Sequence, residues 1–436
     1  MPLPDVGRAT QSAIYRAGTF GRRPKVPTDG TALEAAARRT MSRRAFAYVA
    51  GSAGGEATAR ANRTAFDRWQ VVPRLLVDTA ERDLGVDLFG RRHLTPLLVS
   101  PIGVLSAAHA DADLAMARGA REQGVTPVLS TQASVPMEEV AATLGGSGHW
   151  YQLYWSRDQD LAASLVRRAQ ACGSEALVVT LDTAYLGWRP RDLDLGHLPF
   201  ARGEGIAQYT SDPVFRRLVA ERLAARTASE GDAQPQPRPT PAAVRTLVSL
   251  SRNHPGDTRR NLAAPEPRAA VETFLDVFST PSLTWDDLPR LREMTSVPVV
   301  LKGVLHPDDA RRAVDAGVDG LWVSNHGGRQ VDRCVGALDA LPAVVDAVRG
   351  AGSAMPVVFD SGVRSGADAF VALALGADAV GVGRPHVYGL AIAGAQGVSQ
   401  VLRNIAAELD LTMALTGCRT LADVTRDRLT EVPLPS

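Results

Sequence analysis

Short apolar runs rich in β-branched residues alternate with segments of helical periodicity along most of this 436-residue chain. Strands buried on both faces of a parallel sheet have this continuous apolar character. Eight such runs, alternating with helices, predict an α/β protein folded as a closed (β/α)8 barrel, the TIM-barrel fold. An open, doubly wound sheet is the alternative for the same alternation. The runs are Pro96–Ser100, Thr126–Thr131, His149–Tyr154, Ala176–Asp182, Val297–Gly303, Gly320–His326, Met355–Asp360 and Ala379–Gly383.

The segments between the runs have the features of helices. Apolar residues recur at helical spacing in Asp160–Cys172, and Asp308–Ala316 leads into Gly317, a residue type that often ends a helix. We therefore predict that these segments surround the strands.

Every run ends in polar or glycine-rich residues. A barrel gathers its active site from the C-terminal ends of its strands, so this pattern favours the closed barrel over the open sheet. The residues at these ends are Ser100 to Gly103, Ser130, Gln152 with Tyr154, Thr180 with Asp182, Lys302, Ser324 with His326, Asp360, and Gly383 with Arg384.

Two regions lie outside the alternation. Residues 1–75 predict a helical segment across the bottom or side of the barrel, in which a glycine-rich turn brings Tyr48 to the site. Residues 76–436 predict the barrel itself. It carries an insertion after the fourth strand, about 184–290, that is longer than a βα connection requires. We predict a lid whose Gly-, Gln- and Pro-rich middle, near 227–241, is disordered.

The charge balance argues against a nucleic-acid or membrane partner. With 48 basic and 47 acidic residues the net charge is +1, too small for the field that attracts a protein to polyanions. A small-molecule partner is favoured instead. No apolar stretch reaches the roughly 18 residues that span a bilayer, and the N-terminus lacks a signal-peptide core, which predicts a cytoplasmic location. The three cysteines are far apart and predict neither disulfides nor a metal site.

Glycine-rich turns with arginines follow the last two runs. In barrels, the loops after strands seven and eight often bind phosphate through backbone N–H groups and a helix N-terminus. Tight turns without a ligand are the alternative. The predicted phosphate contacts are Asp360, Ser361, Gly362, Val363, Arg364, Gly383 and Arg384.

The earlier strand ends suit the ring of a phosphorylated cofactor. Ser130, Gln152 and Thr180 offer neutral donors and acceptors. Lys302 is one of only two lysines in an arginine-rich chain, which suggests that a compact charge is needed there. A flavin fits, because a fixed cation stabilises the negative charge of its reduced ring. A Schiff-base lysine is the alternative role for Lys302.

His326 and Asp182 are the predicted catalytic residues. Asp182 would orient and stabilise the imidazole, which acts as a base. Arg189 and Arg329 would hold a substrate carboxylate, with Tyr48 and Tyr154 as further substrate contacts. A buried structural histidine and a surface Arg–Asp pair at Arg189 are the simpler alternatives. A base, a carboxylate clamp and a flavin cation together predict oxidation of a 2-hydroxy acid.

Several of these motifs, in this order, resemble the FMN-dependent 2-hydroxy acid dehydrogenase family, which includes glycolate and lactate oxidases. The resemblance covers residues from about 40 to about 425, and within the family it is strongest to the lactate 2-monooxygenases. The motifs are Ser324–Gln330, Leu301–Gly303, Gln152–Tyr154, Thr180–Thr183, Asp360–Arg364 and Gly383–Pro385, and for the monooxygenases Gly187–Leu193, Pro199–Gly203, Asp212–Phe215 and Ser100–Gly103.

The resemblance implies FMN as cofactor and a catalytic base at His326 with Asp182 as its partner. It implies conversion of lactate and O2 to acetate, CO2 and water, and a homo-oligomer, a tetramer or octamer. The implied substrate contacts are Tyr48, Tyr154, Arg189 and Arg329, and the implied FMN contacts are Pro101, Ile102, Gly103, Ser130, Gln152, Thr180, Lys302, Ser324, Asp360 to Arg364, Gly383 and Arg384.

Alternative functions remain open at this point. Related oxidases carry Ala where this chain has Gly103, and we hypothesise that the missing methyl leaves space for O2 beside bound pyruvate. An oxidase that releases the 2-keto acid and hydrogen peroxide, a quinone-linked dehydrogenase, a flavin isomerase and a catalytically silent flavin-binding barrel are the alternatives. Val49, the Gly51–Ser52 order and the long insertion depart from the family pattern.

Overall fold

A computed structural model describes residues 5–228 and 240–432 of the chain. Its strands are β1 (Trp69–Val71), β2 (Val86–Leu88), β3 (Arg91–His93), β4 (Leu97–Val99), β5 (Thr126–Ser130), β6 (Trp150–Leu153), β7 (Leu177–Thr180), β8 (Val299–Val304), β9 (Gly320–Val323), β10 (Val357–Phe359), β11 (Ala379–Val382) and β12 (Leu429–Glu431). Its α-helices are α1 (Val6–Thr19), α2 (Gly30–Thr40), α3 (Arg43–Ala50), α4 (Ala57–Asp67), α5 (Ala112–Gln123), α6 (Met137–Leu144), α7 (Gln159–Ala171), α8 (Pro190–Leu193), α9 (Ala207–Thr210), α10 (Pro213–Ala228), α11 (Pro241–Asn253), α12 (Thr258–Ala263), α13 (Glu266–Val277), α14 (Leu288–Met294), α15 (Pro307–Asp315), α16 (Ala337–Gly350), α17 (Gly366–Ala374) and α18 (Arg384–Leu415).

Strands β4 to β11 close into a parallel barrel within the described residues. Each strand pairs with the next along the chain, and β11 pairs with β4 to complete the ring. Every predicted run overlaps one barrel strand, so the predicted (β/α)8 fold is confirmed and the open sheet is excluded. The interior of the barrel is apolar at its N-terminal end, where Leu98, Val178 and Val300 are fully buried in one cluster.

The predicted helices form where the sequence places their ends. The Asp158 carboxylate accepts the backbone N–H of Leu161 at 2.8 Å and caps the start of α7. Helix α15 stops just before Gly317, which takes a left-handed φ of 67°. Both helices pack their buried residues toward the core, as the periodicity predicts.

A β-hairpin, β2–β3, closes the N-terminal end of the barrel. Phe89, between its strands, lies 5.4 Å by ring centroid from Trp150, the first residue of β6, and Leu88 is 1% exposed. Of the two positions predicted for the N-terminal helices, the bottom or the side of the barrel, the hairpin occupies the bottom. The three-residue strands of the hairpin are too short and too charged to be recognised by alternation.

The N-terminal helices lie at the side and at the opposite end of the barrel. Helices α1 and α2 pack on α18, whereas α4 contacts the His326 loop and α3 contacts α8. Ser42 caps α3 by accepting the Ala45 N–H at 3.2 Å, and the helix ends at Gly51. This short helix brings Tyr48 to the C-terminal end of the barrel.

The insertion after β7 has a core of its own. It contains helices α8 to α13 and an aromatic cluster of Phe200, Tyr209, Phe215 and Phe274, each at most 2% exposed. Most of the segment predicted to be disordered, 227–241, lies outside the described residues. At its edges, α10 ends at residue 228 and α11 begins at Pro241.

Helix α18 is the longest helix of the described residues. It starts directly after β11, and a non-helical backbone at Ala393 and Gly394 kinks it. Throughout the described part of the chain, no helix is both long and apolar enough to cross a membrane.

Candidate active site

A single cavity at the C-terminal end of the barrel brings together nearly all of the predicted site residues. It encloses about 1000 Å³ of free space, including its opening to solvent. We call it the catalytic cavity. Of the predicted residues, the following line it: Tyr48, Pro101, Ile102, Gly103, Gln152, Tyr154, Thr180, Arg189, Lys302, His326, Arg329, Asp360, Ser361, Gly362, Val363, Arg364, Gly383 and Arg384.

The three other predicted residues lie directly behind this wall. Asp182 Oδ1 is 2.9 Å from His326 Nδ1. Ser130 Oγ donates to Gln152 Oε1 at 3.2 Å, and Lys302 Nζ donates to Ser324 Oγ at 2.7 Å. Each therefore orients a side chain that does face the cavity.

The loop after β9 holds His326 in an uncommon backbone conformation. His326 has φ 57° and is followed by Gly327 with φ 63°, in a short 3-10 turn. The N–H of His326 donates to Ser324 Oγ at 3.1 Å, and the N–H of Gly327 donates to Ser361 Oγ at 3.0 Å. Left-handed non-glycine residues of this kind concentrate at functional sites, where the surrounding contacts maintain them.

Burial keeps the His326 imidazole neutral. Desolvation lowers the pKa of His326 below 6.5, while the charge and hydrogen bond of Asp182 act in the opposite direction. Burial would by itself raise the pKa of Asp182, but the facing imidazole and the Lys302 charge bring it below 3.8. Because Nδ1 donates to Asp182, Nε2 is left as the proton acceptor. This is the arrangement of a general base with an orienting carboxylate.

Two arginines without a carboxylate partner face the cavity beside this base. Arg189 is 8% exposed; its Nε donates to the Arg329 carbonyl at 3.1 Å and its Nη2 to Gln330 Oε1 at 2.7 Å. Arg329 donates to the carbonyls of Tyr48 and Gly51, and its guanidinium lies 4.9 Å from the Tyr48 ring centroid. The alternative of a surface Arg–Asp pair at Arg189 is therefore wrong.

The electrostatics of this pair favour an anion. Burial, followed by the charge of Arg329, lowers the pKa of Arg189 to about 10. Burial raises the pKa of the Tyr48 hydroxyl, so that it remains a donor, and it does the same for Tyr154. One buried and one half-buried cation, with phenolic donors nearby, form a site for a carboxylate.

A bulge in β8 places Lys302 in the interior. Gly303 has φ 108°, and the register with β9 shifts between Lys302 and Val304. A left-handed bulge residue of this kind favours glycine, and a Cβ here would lie 3.0 Å from the Asp182 Cβ. Lys302 is 3% exposed, and its Nζ is 3.2 Å from Asp360 Oδ2.

The other end of the cavity has the features of a phosphate site. Arg364 and Arg384 are buried guanidinium groups, and neither has an ion-pair partner within the described ranges. Burial lowers the pKa of Arg364 and that of Arg384, the latter to about 10. Helix α18 begins at Arg384, so its unpaired N–H groups and dipole favour an anion. The Arg384 guanidinium itself donates to the carbonyls of Val49, Gly51 and Gly327.

Unpaired polar atoms along the wall fit a flavin ring. The Oε1 of Gln152 accepts hydrogen bonds from Ser130 and the Thr131 N–H, whereas its Nε2 is buried with no partner in the described part of the chain. The Nε2 of Gln132 is likewise buried and has no hydrogen-bond partner among the described residues. Donors of this kind need an acceptor such as a ring carbonyl, because an unmet buried donor is costly.

Sequence reasoning missed several residues of this site. Gln132, Leu186 and Phe200 line the cavity, and Thr183 donates to Asp182 Oδ1 at 2.9 Å. Gln132 and Thr183 follow predicted strands closely, which is the signal that could have identified them. Leu186 and Phe200 belong to the insertion and have no such local signal.

Asn62, on α4, was also missed. Its amide pairs reciprocally with that of Asn325 at 2.6 and 2.7 Å, and both are buried. This pair ties the His326 loop to the N-terminal region. Nothing in the local pattern around Asn62 predicts its partner.

Gly103 lies closer to its neighbours than the sequence hypothesis supposed. A Cβ on Gly103 would lie 2.7 Å from both the Cβ and the carbonyl oxygen of Gln132. A methyl group at this position would therefore press on Gln132 instead of occupying open space.

The fold and the site define a flavin-dependent oxidoreductase of the barrel class. The family model described as FMN-dependent dehydrogenase matches residues 37–431, and the chain belongs to this family. FMN is its cofactor, and 2-hydroxy acids are the substrates of the family.

Individual relatives extend this result. The chain is 41% identical over 426 residues to the FMN-dependent alpha-hydroxy acid dehydrogenase qulF of Penicillium citrinum, covering 98% of this chain and 96% of that one. It is 38% identical to an L-lactate oxidase of Lysinibacillus sphaericus, covering 89% of each. A crystal structure of mandelate oxidase with (S)-4-hydroxymandelic acid is similar with a TM-score of 0.74 and 36% identity, over 93% of this chain and 98% of that one.

Proposed function

We propose that this enzyme oxidises a small L-2-hydroxy acid, lactate, with O2 by the monooxygenase route, giving acetate, CO2 and water. One observation supports oxidation of such an acid. His326, paired with Asp182, shares a cavity with Arg189 and Arg329, and neither arginine forms an ion pair within the described residues. One group removes a proton and the others hold an anion within reach of it. A 2-hydroxy acid is a substrate that needs both a base for its proton and cations for its carboxylate.

The roles of the side chains follow from this geometry. Arg189 and Arg329, with the Tyr48 hydroxyl, bind the substrate carboxylate, and Tyr154 donates to the substrate hydroxyl. His326 Nε2 takes a proton, and Asp182 stabilises the imidazolium that forms. When bound, FMN accepts the two electrons that leave the substrate and passes them to O2.

The cofactor contacts are part of the same proposal. Gln152, Ser130 and Thr180 hold the ring edge, and Lys302 with Ser324 places a positive charge beside it. Pro101, Ile102 and Gly103 cover one face of the ring. The residues that would hold the phosphate are Gly383 and Arg384 at the start of α18 and the residues from Asp360 to Arg364.

The size of the substrate is inferred from the walls and from a relative. Three bulky apolar residues, Ile102, Leu186 and Phe200, belong to the cavity wall, and we infer from them a short substrate side chain such as the methyl group of lactate. An L-lactate oxidase is among the relatives. The monooxygenase route is supported by the motif resemblance around Gly187–Leu193 and by Gly103.

An oxidase that releases the 2-keto acid and hydrogen peroxide is the second candidate. The similarity to an L-lactate oxidase and to mandelate oxidase favours it. Because mandelate is an aromatic 2-hydroxy acid, the similarity to mandelate oxidase makes an aromatic 2-hydroxy acid the alternative substrate.

Product analysis tests the proposal. Purified enzyme carrying FMN is given L-lactate in air, and acetate, pyruvate and hydrogen peroxide are measured. Acetate with little peroxide supports the monooxygenase, whereas pyruvate with equal peroxide supports the oxidase. Turnover with a quinone but not with O2 would instead indicate a dehydrogenase. No turnover of lactate, mandelate or other L-2-hydroxy acids with any acceptor would contradict the proposal and favour a silent flavin-binding barrel.

Gly103→Ala is the matched variant for this assay. If Gly103 controls the fate of the product, the added methyl moves Gln132 and shifts the products toward pyruvate and peroxide. An unchanged product ratio in a folded, FMN-loaded variant would contradict the role given to Gly103.

We also propose, on the family resemblance, a cytoplasmic homo-oligomer, a tetramer or octamer, in which the insertion acts as a lid. Light scattering of the purified enzyme tests the assembly, and a monomer would contradict it.

A further inference from the structure

A second cavity adjoins the catalytic cavity and belongs to none of the roles assigned above. It encloses about 1290 Å³ of free space, including its opening to solvent, and shares two wall residues, Leu186 and Arg189, with the catalytic cavity. We call it the outer pocket. Its walls are formed by α3, by the segment 186–202 and by α11 of the insertion.

Four arginines line the outer pocket. They are Arg44, Arg189, Arg202 and Arg245, and His197 lines it with them. Arg202 is 3.4 Å from Glu204, a partner within its own loop. In residues 5–228 and 240–432, no hydrogen-bond acceptor or carboxylate pairs with the guanidinium of Arg44 or of Arg245.

A single carboxylate, Asp192, lines the pocket among the described residues. Burial raises the pKa of Asp192, against the lowering effect of the charges of Arg329, Arg189 and Arg191. Its Oδ1 accepts no hydrogen bond from the described part of the chain. The cations of the outer pocket therefore exceed its anions.

The positive charges converge on one point. Burial lowers the pKa of His197, and the charges of Arg44 and Arg202 lower it further. Both guanidinium groups therefore act on the same imidazole, although Arg44 is about 150 positions away in sequence. An anion at this point would be attracted by both guanidinium groups.

Specific hydrogen bonds attach helix α11, which contributes Arg245 to the pocket wall, to the segment that carries Arg202. The Oγ of Ser249 and the Nδ2 of Asn253 both donate to the carbonyl of Arg202, each at 3.1 Å. Thr240 caps the helix by accepting the Ala243 N–H at 3.1 Å. The inserted helix thus belongs to the wall of the pocket through specific bonds.

We propose that the outer pocket binds a small organic carboxylate, and that the anionic substrate occupies it before it passes Leu186 and Arg189 into the catalytic cavity. The arginines match the carboxylate, and Trp188, Leu193 and Leu198 offer apolar contact for the rest of the molecule. A pocket of one charge sign next to a site raises the local concentration of the opposite ion. The inference rests on the proposed function for the identity of the anion, a 2-hydroxy or 2-keto acid.

Trp188 provides a reporter for this binding. It lines the outer pocket, is 73% exposed and does not line the catalytic cavity. Oxidised enzyme carrying FMN is titrated with pyruvate, which is not oxidised, while tryptophan fluorescence and flavin absorbance are recorded. We expect two binding curves with different apparent Kd values, one for each signal. Trp188→Phe removes the fluorescence curve and keeps the absorbance curve.

The double variant R44Q/R245Q tests the cations. We expect it to raise the apparent Kd of the fluorescence curve about tenfold at low ionic strength, since two exposed charge contacts are lost. The absorbance curve keeps its Kd. The control R43Q/R252Q removes exposed arginines from the same two helices, at positions that do not line the pocket, and we expect both curves to persist.

Three results would overturn the inference. They are the absence of a fluorescence curve in the unaltered enzyme, an equal response to neutral pyruvamide, and an equal loss in R43Q/R252Q. Failure of the proposed function is a separate result: an enzyme that oxidises no 2-hydroxy acid could still show the fluorescence curve. If the fluorescence curve of such a protein depended on Arg44 and Arg245, the conclusion that the outer pocket binds a carboxylate would still stand.

Discussion

The two ends of the barrel interior differ in chemistry although the same strands build both. At the N-terminal end, the interior layer is apolar and the β2–β3 hairpin covers it. Two residues further along seven of the eight strands, the interior residue is polar and either lines the active site or lies directly behind its wall. The pairs are Leu98 and Ser100, Val128 and Ser130, Trp150 and Gln152, Val178 and Thr180, Val300 and Lys302, Trp322 and Ser324, and Val358 and Asp360.

This difference shows how the chain separates stability from chemistry. Side chains two apart on a strand point the same way, so one strand can contribute to both layers. The apolar layer buries area without polar groups, while the polar layer holds each donor and acceptor in place through neighbours such as Ser130 and Ser324. A substitution in the apolar layer should therefore change stability, and one in the polar layer should change catalysis.

The strongest test of this separation is His326→Gln, at the polar end. Without the base, we expect kcat with L-lactate to fall about 1000-fold, because proton removal loses its acceptor. FMN content and Tm should remain close to those of the unaltered enzyme. A large loss of Tm would show that His326 also supports the fold and would blur the distinction.

The complementary test is Leu88→Ala, at the apolar end. Leu88 is 1% exposed in the hairpin that covers the barrel, and its truncation should lower the free energy of unfolding by about 3 kcal/mol. We expect kcat to be unchanged at temperatures where the variant is folded. Leu75→Ala is the control, since Leu75 is 80% exposed and should change stability by less than about 0.5 kcal/mol. Reduced kcat in Leu88→Ala would mean that the two layers are coupled.

Arg189→Lys sharpens the description of the polar end. Lysine keeps the charge but loses the planar fork that contacts Arg329 and Gln330, so we expect KM for L-lactate to rise about 30-fold. Steady-state kinetics at constant ionic strength measures this change. An unchanged KM would show that charge alone is sufficient for the carboxylate.

The smallest expected effect is a shift of the pH profile in Asp182→Asn. Burial holds the pKa of His326 below 6.5 and Asp182 partly offsets it, so kcat/KM should fall as the pH drops through that pKa and the base becomes protonated. Removing the Asp182 charge lowers the pKa of His326 further. The acid limb of kcat/KM should therefore move to lower pH, and a shift to higher pH would contradict the pairing.

Much of the polar layer could be predicted because the signal is local. The apolar runs fall on the barrel strands, and the first polar residue after each run faces the catalytic cavity or supports a residue that does. The hairpin at the other end could not be predicted, since its strands have three residues each and its stabilising partners, Trp150 and Trp322, are far along the chain.

The same limit applies to individual contacts in the site. The glycine at 103 was recognised, but its 2.7 Å approach to Gln132 depends on how two loops meet. The Asn62–Asn325 pair joins positions 263 residues apart. Local periodicity cannot predict such pairs, because it shows which face of a helix or strand is buried but not which distant residues contact that face.

The sequence by itself determined the barrel, the order of its strands and most of the strand side chains that reach its C-terminal end, because buried strands leave a local apolar pattern that ends in polar residues. Only the tertiary structure decided which charges remain without partners. Arg189 and Arg329 near His326, and Arg44 and Arg245 in the outer pocket, are ordinary arginines in the sequence. Their significance comes from the absence of a carboxylate beside them in the described structure, which depends on the packing of distant segments.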